Sequence, residues 1–134
     1  MAKKIYDGSE CVLGRLGSVI AKDLLKGDSV DLINCNDIIV SGDKKLFVKK
    51  ISAKREMGRG ASLKGPKYPA VSDRLVKRMI RGMLPRDRTK GQDSIRRLKC
   101  YTGDIGDKDS VVIKLEFKKP MKYFKIKDVV NLLR

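Results

Sequence analysis

The chain has no histidine and no tryptophan, only three phenylalanines and four tyrosines, and three cysteines in 134 residues. Each shortage removes a class of function. Without histidine, the commonest general acid or base for work near neutral pH is missing. Cys11, Cys35 and Cys100 are odd in number, widely spaced and form no C-x-x-C pair. They read as reduced thiols, not as a zinc site or a disulfide framework. No uncharged apolar run approaches the roughly 18 residues that a membrane-spanning helix needs, and the opening MAKKIYDGSE holds no apolar signal core. A helix lying on an acidic membrane would call for Trp or several Phe on its apolar side. The turns GRLG and GDKK match neither the GxxxxGK[ST] nor the GxGxxG phosphate-cradling pattern. The expectation is a soluble intracellular protein with no catalytic residues, no metal, no cofactor, no small-molecule substrate and no membrane partner.

What the chain has in excess is positive charge: 32 Lys and Arg against 16 Asp and Glu, a net of +16. A polyanion is the natural partner for such a chain. The excess is segregated. Residues 1–43 carry five basic and seven acidic side chains, whereas residues 44–99 carry 19 basic ones against Glu56, Asp73, Asp87 and Asp93 alone. A solvated surface intersperses both signs, so this block reads as an interaction surface. With glycine counted, the apolar content is about 50%, ordinary for a globular domain, and the length suits a single domain over residues 1–134.

Along the chain, KKIYDG reads as a strand and turn. Leu13, Leu16, Ile20 and Leu24 then recur at helical spacing until Gly27 supplies a stop. SVDLINCNDIIVSGD reads as two short strands broken at Asn36 and Asp37, so the first third makes a βαβ unit with parallel strands. Residues 43–51 suit a helix with Phe47 and Ile51 on one side, while about 52–70, with Gly58, Gly60, Gly65, Pro66 and Pro69, reads as a basic extended segment that orders on RNA. SDRLVKRMIRGMLP is a helix with Ser72 as N-cap, Asp73 in the first turn and Pro85 marking the end. A short basic helix feeding a strand follows, then a half-buried strand alternating through Val111, Ile113, Leu115 and Phe117, and a terminal helix over KIKDVVNLLR.

The candidate binding residues follow from this layout. At about 100° per residue, Arg74, Lys77, Arg78 and Arg81 share one face, and Val76, Met79, Ile80 and Met83 share the other. Burying the apolar face would present a line of cations spaced for phosphates, not for base edges. Lys45 and Lys49 lie on the preceding helix, and Lys54, Arg55, Arg59, Lys64 and Lys67 in the extended segment. Arg86, Arg88 and Lys90 occupy the turn-rich stretch after Pro85, and Arg96, Arg97 and Lys99 the short helix and strand beyond. Tyr68, between Lys67 and Pro69, either stacks on a base or packs over proline.

LGRLGSVIAKDLL, the strand end through Ile39, Val40, Ser41 and Gly42, GPKYP, RGMLP and RRLKCYTG together resemble the universal large-subunit ribosomal protein family numbered thirteen. The similarity runs with gaps from about residue 4 to residue 133, and the spacing of RGMLP to RRLKCYTG is its most specific part. The resemblance implies a three-layer α/β/α fold around a small, mostly parallel four-stranded sheet. It implies basic helices and loops that grip large-subunit ribosomal RNA, neighbouring ribosomal proteins as further partners, and a place in cytoplasmic ribosomes. GPKYPAVSDRLVKRMIRGMLP resembles the archaeal and eukaryotic branch, and the short C-terminus favours an archaeal source. Arg86 departs from the pattern, since relatives often carry an aromatic residue or histidine after the LP. The competing readings are an RNA-binding regulator or assembly factor outside the mature ribosome, a small nucleotide-binding α/β enzyme, and non-specific DNA binding.

Overall fold

Strand β1 (Lys3–Asp7) opens the chain and helix α1 (Leu13–Lys26) follows it, because Leu13, Leu16, Ile20 and Leu24 return to one face every three or four residues and all are buried. The structure, a computed structural model, describes residues 2–58, 64–106 and 110–134. Gly27 ends α1 with φ of 108°, a left-handed conformation that glycine adopts without strain. The turn delivers the chain to β2 (Ser29–Ile33), which lies parallel to β1 with Lys4 beside Val30 and Tyr6 beside Leu32. Strand β4 (Leu98–Cys100) pairs with the outer side of β2, and β5 (Val112–Lys114) with the outer side of β1. The sheet order is therefore β4-β2-β1-β5 with every pair parallel. This is the small parallel four-stranded sheet of the expected α/β fold. Its two-residue period sends Tyr6, Val30, Leu32 and Leu98 into the main core, and leaves Ile5, Asp31 and Ile33 buried on the other face.

The second of the two expected short strands, β3 (Ile39–Ser41), leaves this sheet. It pairs antiparallel with β6 (Tyr123–Lys125), which runs directly into helix α5 (Ile126–Leu133). A 3-10 turn over Cys35–Asp37 makes the break at Asn36 and Asp37. Helix α2 spans Lys44–Glu56, with the Asp43 carboxylate accepting the Lys45 N–H at 2.9 Å as its cap. It runs five residues past the expected end at Ile51. Ser52 to Glu56 contain no breaker and include the good helix formers Ala, Lys, Arg and Glu, so the extended segment starts only near Gly58.

Helices α3 (Ser72–Arg81) and α4 (Thr89–Arg96) complete the fold. Ser72 is not the N-cap of α3. Val71 holds that position, and the buried Ser72 hydroxyl instead donates to Asn36 Oδ1, tying the helix start to the 3-10 turn. Among the described residues of DSVVIKLEFKK, only Val112–Lys114 pair as strand, because β1 ends at Asp7 opposite Lys114, and Val111 is 85% exposed. The alternation persists beyond the pairing, with Ile113, Leu115 and Phe117 packed against the core. Among the described residues, no helix is long and apolar enough to cross a membrane.

A polar knot ties β1 to α1. The Tyr6 hydroxyl donates to Asp23 Oδ2, and Lys4 Nζ bridges Asp23 Oδ2 at 3.1 Å and Asp28 Oδ2 at 3.0 Å. Burial pushes the Asp23 carboxyl up, but hydrogen bonds from Tyr6 and Lys4 outweigh it and the group ends below its usual range. Burial, followed by the bond to Asp23, pushes the Tyr6 hydroxyl up to about 12. A raised folded-state value favours the protonated form, so Tyr6 contributes stability that is complete below about pH 10 and is lost as pH rises towards about 12. Tyr6→Phe is expected to lower stability by about 1–3 kcal/mol at pH 7, since a charged acceptor loses its donor. It should also make the alkaline decline shallower. Urea denaturation across the alkaline range checks both, and equal declines in the two proteins would show that the fold does not hold the Tyr6 proton.

Candidate nucleic-acid interface

Helix α3 divides as its spacing predicts. Leu75, Val76 and Ile80 are fully buried, Arg74 is exposed, and Lys77, Arg78 and Arg81 are half-buried. Met83 departs from the pattern and is 40% exposed, because the helix ends at Arg81 and the chain turns at Gly82. Its thioether nevertheless lies against α1 at Gly17, where an added Cβ would stand 2.8 Å from Met83 Sδ. The last turn of α3 and the residues after it can approach α1 this closely only over glycine.

Between α2 and α3 lies a cleft of about 310 Å³. Phe47, Ile51 and Met79 supply its apolar lining, and Lys50, Lys54, Arg78, Arg81 and Arg86 surround it, with no carboxylate among the described residues that line it. Tyr68 comes in from the segment between the helices. The Arg78 guanidinium carbon stands 4.1 Å from the Tyr68 ring centroid, Lys54 Nζ stands 5.4 Å from the same centroid, and Lys54 Nζ donates to the Tyr68 hydroxyl at 3.4 Å. The two cations, Arg78 foremost, hold the Tyr68 hydroxyl below the ordinary phenol value. The ring packs against the core, one of its expected roles, and in addition holds two cations. Arg86 reaches the cleft from the turn after Pro85. Gly91 in α4 lies against that turn, and a Cβ there would stand 1.9 Å from the Pro85 carbonyl oxygen.

A second cleft, of about 330 Å³, opens at β4, lined by Arg74, Lys77 and Lys99 together with Asp73. Arg55 and Lys67 meet beside Tyr68 along a groove at Pro66 and Pro69. Lys45, Lys49, Lys64, Arg88 and Lys90 are exposed, and Arg59 lies outside the described residues. Leaving aside Arg59 and Lys64, Arg96 is the one candidate cation paired with a carboxylate among the described residues, to Asp93 at 3.5 Å.

The ribosomal protein L13 family profile matches residues 2–106, a span that contains α2, α3 and both clefts. The chain belongs to the L13 family. It is 38% identical over 113 residues to the large ribosomal subunit protein uL13 of Methanosarcina barkeri, covering 81% of this chain and 79% of the relative. The uL13 of Archaeoglobus fulgidus is 38% identical over 99 residues, 74% of this chain and 62% of its own length. That of Thermoplasma volcanium is 37% identical over 98 residues, 73% of this chain and 71% of its own. The likeness is of the archaeal type that the central segment led us to expect.

In this L13-family chain several expected binding residues have structural partners. Arg97 donates to the Leu24 carbonyl at 2.7 Å, to Ser94 Oγ at 3.2 Å and to the Asp28 carbonyl at 3.4 Å. It thereby caps the C-terminus of α1, where a cation also meets the negative end of the helix dipole. Lys77 Nζ donates to the Leu98 carbonyl at 2.7 Å, and Arg55 to the Leu133 carbonyl at 3.1 Å at the end of α5. Lys50 was missed. Its signal is the spacing to Lys54, two like charges at i, i+4 with no acid between them, an arrangement that destabilises a helix in isolation. Arg97→Met is expected to lower stability by about 1–3 kcal/mol while leaving the salt dependence of polyanion binding unchanged. Denaturant melts and binding at several salt concentrations separate the two effects, and a shallower salt dependence would return Arg97 to the binding surface.

Proposed function

We propose that this protein is a structural constituent of the large ribosomal subunit that binds and stabilises folded large-subunit ribosomal RNA through α2, α3 and the segments that follow each of them, with neighbouring ribosomal proteins as further partners and no catalytic role. The observation that carries the reading is the cleft where five cations converge from two helices and a turn with no carboxylate among the described residues that line it. Converging like charges are unfavourable in the free protein, and a polyanion reverses the sign of that term while releasing its own counterions. The relatives named above are proteins of the large ribosomal subunit, which supports ribosomal RNA over other polyanions. The place of work is then the cytoplasmic ribosome.

Affinity for protein-free large-subunit ribosomal RNA, in competition with excess transfer RNA and duplex DNA across a salt series, tests the reading. With about six phosphates neutralised, log K against log salt should slope at about −5, and Arg81→Ala should reduce the slope by about one. Saturable binding that survives the competitors is the expected result. Binding abolished equally by any polyanion would leave a basic patch without a defined RNA site and sink the proposal.

A further inference from the structure

We propose that the cleft between α2 and α3 is a built seat for one phosphodiester of an RNA backbone, with Arg78 as its central donor and Tyr68 as the residue that positions it. The proposal rests on the ribosomal RNA reading above and gives it a specific contact. Among the described residues, Arg78 Nε is the one buried side-chain nitrogen or oxygen with no hydrogen-bond partner. A buried donor on a charged group is destabilising when left unpaired, and Arg78 lines the cationic cleft, where an acceptor from outside the chain would satisfy it.

The geometry suits a phosphate. The Arg78 guanidinium carbon lies over the Tyr68 ring, 4.1 Å from its centroid, and a guanidinium carries five N–H donors in a planar fork, enough to meet two oxygens of a phosphate as well as its neighbours in the fold. The same ring and its hydroxyl hold Lys54 beside Arg78. Lys50, Arg81 and Arg86 ring the rest of the cleft, more charge than one carboxylate needs but suited to a phosphate flanked by further phosphates along a strand. Phe47, Ile51 and Met79 offer an apolar surface against which the adjoining sugar can pack. The cleft volume, about 310 Å³, stands at the lower end of the roughly 300–1,000 Å³ usual for small-ligand sites.

The Arg78 Nε–Hε resonance of the 15N-labelled full chain reports the site directly. Titration with a ribodinucleotide is expected to shift it saturably, inorganic phosphate should shift it in the same direction, and acetate should need at least about tenfold higher concentration. Arg78→Lys keeps the charge and removes the fork, and should weaken dinucleotide binding about tenfold. Tyr68→Phe keeps the ring beside Arg78 and loses the hydroxyl bond to Lys54, and should bind somewhat more weakly than the native chain, and Tyr68→Ala, which loses both, should bind more weakly still. Equal midpoints for acetate and dinucleotide, or an Arg78 signal that stays still while other signals move, overturn the seat. Because the wild-type titration carries the decision, a variant that fails to fold does not rescue the proposal. Binding to protein-free ribosomal RNA in the same buffer separates the two claims. Steep, competitor-resistant RNA binding with an unmoved Arg78 signal defeats the seat alone, whereas RNA binding lost to any polyanion defeats the broader reading.

Discussion

The burial of Leu75, Val76 and Ile80 sets the direction of every cation on α3. These three side chains are fully enclosed, and α3 packs at once on α1, on β4 and on α5. A helix turns about 100° per residue, so once three apolar positions are fixed, Arg74, Lys77, Arg78 and Arg81 have no freedom about the helix axis. Helix α2 is fixed in the same way with less apolar surface. Ile51 is its one buried residue, and Phe47 meets Phe124 of β6 with ring centroids 5.1 Å apart. The pairing of β3 with β6 thus supports the cationic cleft from a distance. It holds the phenylalanine that holds α2, and α2 carries Lys50 and Lys54.

The two halves of the charge distribution solve different problems. In the first third, acids and lysines pair locally: Lys3 with Asp31, and Lys4 with Asp23 and Asp28. Asp23 and Asp31 are buried there and need such partners. These contacts stitch β1, β2 and α1 together, and they leave that part of the chain with no excess charge to offer. In residues 44–99 the acids are too few to pair, and the cost of keeping like charges near one another is borne by the apolar packing beneath them. A basic surface of this kind is preorganised, because its side chains are held by a core that does not depend on the partner.

The order of elements was legible because strand and helix periodicities alternate cleanly through the first third and again from Ser72. The losses have local causes. β6 is three residues long and enters α5 without a break, too short for a two-residue period to register. The end of α2 was placed early because the glycines and prolines beyond it drew the boundary back over Ser52 to Glu56. Ser72 has the chemistry of an N-cap, and only its burial beside Asn36 shows that its hydroxyl is engaged across the fold. The line of cations on α3 was visible as a pattern. The cleft was not, since it joins Lys50 and Lys54 to Arg78, Arg81 and Arg86 across a segment whose path no periodicity describes.

Net charge overstates the number of contacts a basic protein makes with a polyanion. Arg97 and Arg55 bond backbone carbonyls at the ends of α1 and α5, and Lys77 bonds one in β4. Helix C-termini expose unsatisfied carbonyls at the negative end of a dipole, so a chain rich in Lys and Arg fills such positions from the same residue types that elsewhere face a partner. Composition cannot distinguish the two uses. The distinction lies in what each ammonium or guanidinium already touches: a cation satisfied by carbonyls contributes to the fold. The five cations that line the cleft between α2 and α3, Lys50, Lys54, Arg78, Arg81 and Arg86, are the ones on which the proposed RNA contact rests, and they are drawn from three separate stretches of sequence.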